Sequence, residues 1–196
     1  MRVSRILYPI TTLGPGNRVV VWTAGCSKAC PRCENPELWH STSEQEISPE
    51  QLSKKLIQIS KAYDVHCLTM TGGDPLEQAE ELLSLLKLLR PFYSDVLVYT
   101  GYTFQEIEAS FTSEQLEQLK ALMDVMIDGR YEDRKNDNAV PLRGSTNQNV
   151  IFLADNLKDT YKHYMNQGRQ VQNVVYNGNV ISVGIHNRES TNDRRP

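Results

Sequence analysis

The stretch Arg18-Val19-Val20-Val21-Trp22-Thr23-Ala24-Gly25-Cys26-Ser27-Lys28-Ala29-Cys30-Pro31-Arg32-Cys33 joins two unlike halves. Its first six residues form a short β-branched run of the kind buried on both faces of a parallel sheet. A turn, Leu13-Gly14-Pro15-Gly16, precedes the run. Three cysteines then fall within eight residues in the pattern Cys-x3-Cys-x2-Cys, whereas the fourth, Cys67, stands alone. A strand that opens into a loop crowded with thiols describes a site.

Outward from that loop, strand and helix signals alternate. Ser48-Pro49-Glu50-Gln51 is a capping box with proline at the first helical position, and Leu52, Leu56, Ile59 and Tyr63 repeat at helical spacing behind it. Residues 65–71 predict a second strand, ending at Gly72-Gly73-Asp74-Pro75. Leu76, Ala79, Leu82, Leu83, Leu86 and Leu89 then share a helical face that stops before Pro91. Residues 95–99 predict a third strand and 124–127 a fourth, with capping boxes at Thr103/Glu106 and Thr112/Gln115 between them. A fifth strand is expected at 149–153, a helix at about 156–166, and a hairpin of 171–175 against 180–185 turned at Asn177-Gly178.

This series predicts an α/β fold with a mostly parallel sheet, outer helices and a C-terminal β-hairpin. The 196 residues are too few for a complete eight-fold barrel, which takes about 250, so a partial (β/α) barrel is expected. One domain over residues 1–187 and a disordered polar tail over 188–196 complete the outline. Ligands of such sheets collect beyond the carboxyl ends of the strands. The cysteine loop, Gly72-Gly73-Asp74, Thr100-Gly101 and Asp128-Gly129-Arg130 each follow a strand, and so converge on one rim.

Composition narrows the setting. The chain is 39% hydrophobic and 23% charged with net charge −3, and it lacks the basic stripe of a nucleic-acid-binding domain. The apolar patch at residues 6–10 is too short for a signal-peptide core, and no run approaches the roughly 18 apolar residues of a membrane span. A cytoplasmic protein with no membrane or nucleic-acid partner is expected. Crowded cysteines in that reducing compartment read as metal ligands or redox groups before disulfides.

Three thiolates in one loop can each bind one iron of a [4Fe–4S] cube and leave the fourth iron open to an outside ligand. Two other readings use the same cysteines: a Cys3His zinc site with His40, and a closed four-cysteine cluster with Cys67. Cys67 falls inside a predicted strand and reads as a small core residue.

The cysteine spacing on the first strand-to-helix loop, with Gly-Gly-Asp-Pro after the second strand, resembles the radical S-adenosylmethionine (radical SAM) superfamily. Thr11 to Gly16, Trp22 to Cys33, Thr71 to Pro75, Tyr99 to Thr103, Val125 to Tyr131 and Arg143 to Gln148 are similar to the small activating proteins of anaerobic ribonucleotide reductase. This resemblance, which spans roughly residues 5–153, implies that Cys26, Cys30 and Cys33 hold a [4Fe–4S] cluster and that S-adenosylmethionine chelates its open iron. It further implies that Thr71, Gly72, Gly73 and Asp74 meet the amino group of the methionine moiety. Glycines let backbone carbonyls approach closely, and an acidic neighbour favours an ammonium-like donor. Asp74 also fits the cap of the following helix, with Pro75 at its first position.

The activity implied is reductive cleavage of S-adenosylmethionine to methionine and a 5′-deoxyadenosyl radical, which takes a hydrogen atom from a glycine of a partner glycyl radical enzyme. Cluster potentials span about −700 to +450 mV, and reducing a sulfonium needs the low end, so a low-potential donor such as flavodoxin is implied. This chain departs from the superfamily in carrying Arg32 where an aromatic residue commonly precedes the third cysteine, which leaves a backbone contact there. Thr100, Asp128 and Gln148 are rim candidates for ribose or carboxylate contacts, and each also fits a turn cap. Arg143 fits a solvated or sheet-capping charge, and Tyr99 and Tyr102 fit packing roles. The alternatives are a radical SAM enzyme acting on a peptide or small molecule, and a non-catalytic iron–sulfur or zinc protein. The shortness of the chain further implies a barrel whose missing wall a partner supplies.

Overall fold

A computed structural model of the protein describes residues 1–187, and the tail expected at 188–196 lies outside the described residues. Six strands form one sheet in chain order: β1 (Val3–Ile10), β2 (Arg18–Thr23), β3 (Cys67–Gly72), β4 (Asp95–Tyr99), β5 (Val125–Asp128) and β6 (Asn149–Phe152). β2 to β5 are parallel, and the two edge strands run antiparallel to their neighbours. The helices are α1 (Pro49–Tyr63), α2 (Ala79–Leu89), α3 (Phe104–Ser110), α4 (Ser113–Leu122) and α5 (Lys158–Met165). A separate hairpin, β7 (Val171–Tyr176) with β8 (Asn179–Gly184), closes the described chain.

The three capping boxes read from the sequence start α1, α3 and α4. β1 has no counterpart among the strands expected from the sequence. As an edge strand it buries only Leu7 and Ile10, and its pairing with β2 is broken by two register shifts, so no clean alternation marks it. Cys67 is likewise half-buried at the start of β3 and not a core residue.

The two faces of the sheet bury different partners, as the period-2 alternation of a strand dictates. Val19, Val21, Leu68, Met70, Val96 and Val98 face the leucines of α1 and α2 on the outside. On the inside, Val20 and Trp22 pack with Leu7, Ile10 and Leu38 under the hairpin residues Val174, Tyr176, Ile181 and Val183. Leu97, Val125 and Ile127 pack beside them against Tyr161 and Tyr164 of α5. The chain's own C-terminal segments therefore cover much of the inner face that the sequence reading left to a partner.

At the amino end of the strands this inner space is sealed by polar groups. The Arg18 side chain is fully buried and bonds both oxygens of Asp95 (2.7 and 3.1 Å), the Thr69 hydroxyl (2.7 Å), and the carbonyls of Pro15 and Leu68. Tyr161 donates to Asp95 Oδ1 at 2.7 Å. At the carboxyl end the strands finish level, Thr23 beside Gly72 and Tyr99 beside Ile127, so the loops after them emerge together.

Candidate metal centre and cofactor cavity

The cysteine loop leaves β2 at Gly25 and is fastened along its length. Gly25 and Cys26 donate backbone bonds to the carbonyls of Leu38 and Trp39, and Cys33 N–H reaches back to Cys30. Ala29 and Arg32 both hold left-handed backbone (φ 43° and 57°), which costs an L residue roughly 1–2 kcal/mol, so the loop needs those fastenings. The strongest is Glu77. Its carboxylate accepts from Ser27 N–H (2.9 and 3.0 Å), Ser27 hydroxyl (2.6 Å) and Lys28 Nζ (2.9 Å).

The Gly-Gly-Asp turn lies against this loop. A Cβ on Gly73 would run into the carbonyl of Gly25, and one on Gly72, at φ 105°, would sit 2.6 Å from backbone atoms of Thr23. Only glycine permits that approach. Asp74 N–H bonds Gly25 O at 3.0 Å, which ties the turn to the root of the cysteine loop.

A cavity opens where these loops meet. Cys26, Cys30, Arg32 and Cys33 line it together with Thr71, Gly72, Gly73, Asp74, Thr100 and Gln148. Ten of the eleven candidate residues thus share one space. Asp128 does not line it: its Oδ2 caps Phe104 N–H (2.8 Å), and its Oδ1 accepts from the backbone and side chain of Asn149 (3.0 and 2.8 Å). It fastens α3 and β6 beneath the rim.

Several of the lining residues are themselves committed. The Gln148 amide bonds Gly129 O (2.9 Å), Gly144 N–H (2.9 Å) and Ser145 N–H (3.2 Å), and so shapes the wall. Thr100 hydroxyl donates to Asp74 (2.9 Å). The Arg32 side chain is 58% exposed and only 3.9 Å from Asp133 at its closest. Arg143 is half-buried and holds Gln148 O at 2.8 Å. Tyr99 donates to Leu142 O at 3.0 Å, and burial pushes its phenol far above the usual range.

The cavity also recruits residues that sequence reading passed over. Gly184, Ile185 and His186, at the end of the C-terminal hairpin, form part of its lining. His186 Nδ1 lies 2.7 Å from Glu34 beside the third cysteine, and Arg169 holds His186 O at 2.8 Å. No local pattern announces a contact made across some 150 residues. Glu77 has no place among the residues expected from the sequence either, although its position three residues beyond Asp74, on the same side of that helical turn, is a local signal.

The donor set suits an iron–sulfur cube. The three cysteines are free, half-buried and on one loop. Among the described residues, no three His, Cys, Asp or Glu side chains converge on a single ion position, and a cube takes each thiolate at a separate corner. Cys67 starts β3 beside Arg18, at the opposite end of the strand from this loop, so it is no fourth ligand. Burial pushes the Cys26 and Cys30 thiols up, opposed by backbone hydrogen bonds at Lys28 and Tyr131 respectively and more weakly by Arg130 at Cys30, so cluster assembly would have to displace their protons.

The family model for a 4Fe-4S single cluster domain matches residues 12–151. An anaerobic ribonucleoside-triphosphate reductase-activating protein of Enterobacteria phage T4 is 37% identical over 169 residues, covering 83% of this chain and 99% of that protein. The chain belongs to this family of activating proteins. Family members of the same name from Salmonella typhi (31% identical; 74% of this chain, 96% of that one) and Escherichia coli K12 (29%; 74% and 96%) extend the match. QueE from Escherichia coli aligns with a TM-score of 0.41 and 17% identity over 52% of this chain and 53% of its own. In this activating protein the three-cysteine loop therefore lies in a 4Fe-4S cluster domain.

Proposed function

We propose that this protein is a radical SAM activase that installs a glycyl radical in an anaerobic ribonucleotide reductase. The observation that carries the reading is the shared cavity of the three-cysteine loop and the Gly-Gly-Asp turn, in a chain whose relatives bear the activating-protein name. Cys26, Cys30 and Cys33 would hold the cluster, and Thr71, Gly72 and Gly73, with Asp74 bracing the turn, would receive the methionine end of S-adenosylmethionine. Thr100, Gln148 and the backbone at Arg32 form the remaining wall, and Asp128 supports it from below. A cluster held there would supply one electron for reductive cleavage of the sulfonium to methionine and a 5′-deoxyadenosyl radical, and that radical would take a hydrogen atom from a glycine Cα of the partner.

The chain's own residues fix geometry and limit access. Close backbone packing at Gly72 and Gly73 seats the turn on the root of the cysteine loop, and both glycines line the cavity with no side chain between, which suits recognition of an amino group by backbone carbonyls. Half-buried Tyr99 and the hairpin end line the same cavity, where they would limit the access of water. A low-potential donor such as flavodoxin would provide the electron. No described helix is long and apolar enough to cross a membrane, and a cytoplasmic setting fits this partner pair.

Anaerobic incubation with reductant, S-adenosylmethionine and the reductase should give a glycyl radical signal in electron paramagnetic resonance. Cluster-loaded protein that forms 5′-deoxyadenosine but never that signal would redirect the reading to a peptide or small-molecule substrate. Protein that holds iron and sulfide but never cleaves S-adenosylmethionine would reduce it to a non-catalytic cluster carrier.

A further inference from the structure

The Asp74 carboxylate, which the radical SAM resemblance assigns to the amino group of the cofactor, is already occupied in this chain. Its Oδ1 accepts from Leu76 N–H (3.0 Å) and Thr100 hydroxyl (2.9 Å), and its Oδ2 accepts from Gly101 N–H (3.0 Å). Lys28 Nζ faces Oδ2 at 3.7 Å. A carboxylate offers about four lone-pair sites, so three short bonds and one ammonium use them up. Asp74 is also buried, which leaves no solvent-facing edge for a newcomer.

Lys28 is as fully committed. Its side chain is only 6% exposed, and its three donor directions meet Glu77 at 2.9 Å, Asp74 at 3.7 Å and the Tyr102 ring, whose centroid is 3.4 Å away. The stem crosses Gly101 so closely that a Cβ there would lie 3.0 Å from Lys28 Cγ. One lysine in the middle of the cysteine loop thus ties that loop to the Gly-Gly-Asp turn, to the helical turn after it and to the Thr100-Gly101 rim.

We infer that Lys28 is a positioning residue that occupies the cation place at Asp74, so that Asp74 acts by holding Thr100 and Gly101 while the amino group of the cofactor meets backbone groups of the turn. The inference rests on the cofactor reading above, but its first test does not. In reduced, cluster-free protein, amide hydrogen exchange at Ser27 and at Gly101 should speed up about tenfold or more in Lys28→Met, with β4 unchanged and Lys28→Arg close to wild type. Unchanged exchange at both loops would overturn the coupling.

The second test separates the two roles of Asp74 by sign. Reconstituted Lys28→Met should still take up iron, yet bind S-adenosylmethionine about tenfold more weakly and lose the cofactor-induced change in the resonance of its reduced cluster, with Lys28→Arg restoring both. If Asp74 instead receives the amino group directly, removing its competitor tightens binding, and that result overturns the inference. Failure of the wild-type protein to bind S-adenosylmethionine would count against the proposed function, while the exchange experiment would stand.

Discussion

The two ends of the sheet bury ion pairs of similar geometry to opposite purposes. At the amino end, Arg18 and Asp95 meet at 2.7 Å and every polar atom is spent on neighbours: Thr69, Tyr161, and the carbonyls of Pro15 and Leu68. At the carboxyl end, Lys28 and Glu77 meet at 2.9 Å, but the groups they hold belong to loops around a cavity. The floor closes the sheet, whereas the rim fixes loops whose left-handed residues and close glycine contacts would not hold by themselves. A buried pair is weak evidence for net stability, so its worth must be read from what it orders.

That contrast can be broken experimentally. The largest effect belongs to the rim: Cys33→Ala should abolish cluster loading outright while leaving thermal unfolding of the cluster-free protein near wild type, measured by iron content and circular dichroism. Retained cluster would remove Cys33 from the ligand set. Next comes the floor, where Arg18→Ala strands a buried carboxylate and should destabilise by about 3–5 kcal/mol in denaturant unfolding. Tyr161→Phe removes one bond to a charged group whose other partners remain, and should cost about 1.5 kcal/mol. If either floor variant kept full stability but lost cofactor binding, the two ends would not be separable as drawn.

A pH test sharpens the rim side. Burial works to raise the Glu77 carboxyl, but the bonds from Ser27 and Lys28 prevail and hold it below its ordinary value of 4.5. A depressed folded pKa means its stabilising contribution is present above the ordinary value and is lost as pH falls through the lower, folded one. Glu77→Gln should therefore flatten the acid limb of the stability curve of the cluster-free protein, and an unchanged limb would count against the fastening. The smallest effect should come from Arg130→Ala, because Arg130 and Glu106 are about half exposed and 3.4 Å apart, and such surface pairs contribute about 0–1 kcal/mol.

The comparison also explains what could be read in advance. β2, β4 and β5 were legible because strands buried on both faces leave apolar runs, β3 because Leu68 and Met70 lead into a Gly-Gly turn, and α1, α3 and α4 because their capping boxes are local. β1 was not legible, since an edge strand with two register shifts leaves little periodicity. At the site, the cysteines and the Gly-Gly-Asp turn declare themselves by spacing. Asp128 has the same residue type and placement as a rim ligand, yet it turns beneath the cavity to cap α3.

The order of residues by itself determined the parallel core, the loop that carries three thiols, and the rim on which it lies, because periodicity, capping and cysteine spacing are properties of neighbours in the chain. Tertiary structure decided which of those residues remain available. Asp74 is filled by Thr100, Gly101 and Lys28, the inner wall comes from a hairpin far along the chain, and His186 returns to the third cysteine's neighbour. Such contacts depend on how the helices and hairpin pack onto the sheet, and no local pattern encodes the distance between residues brought together only by folding.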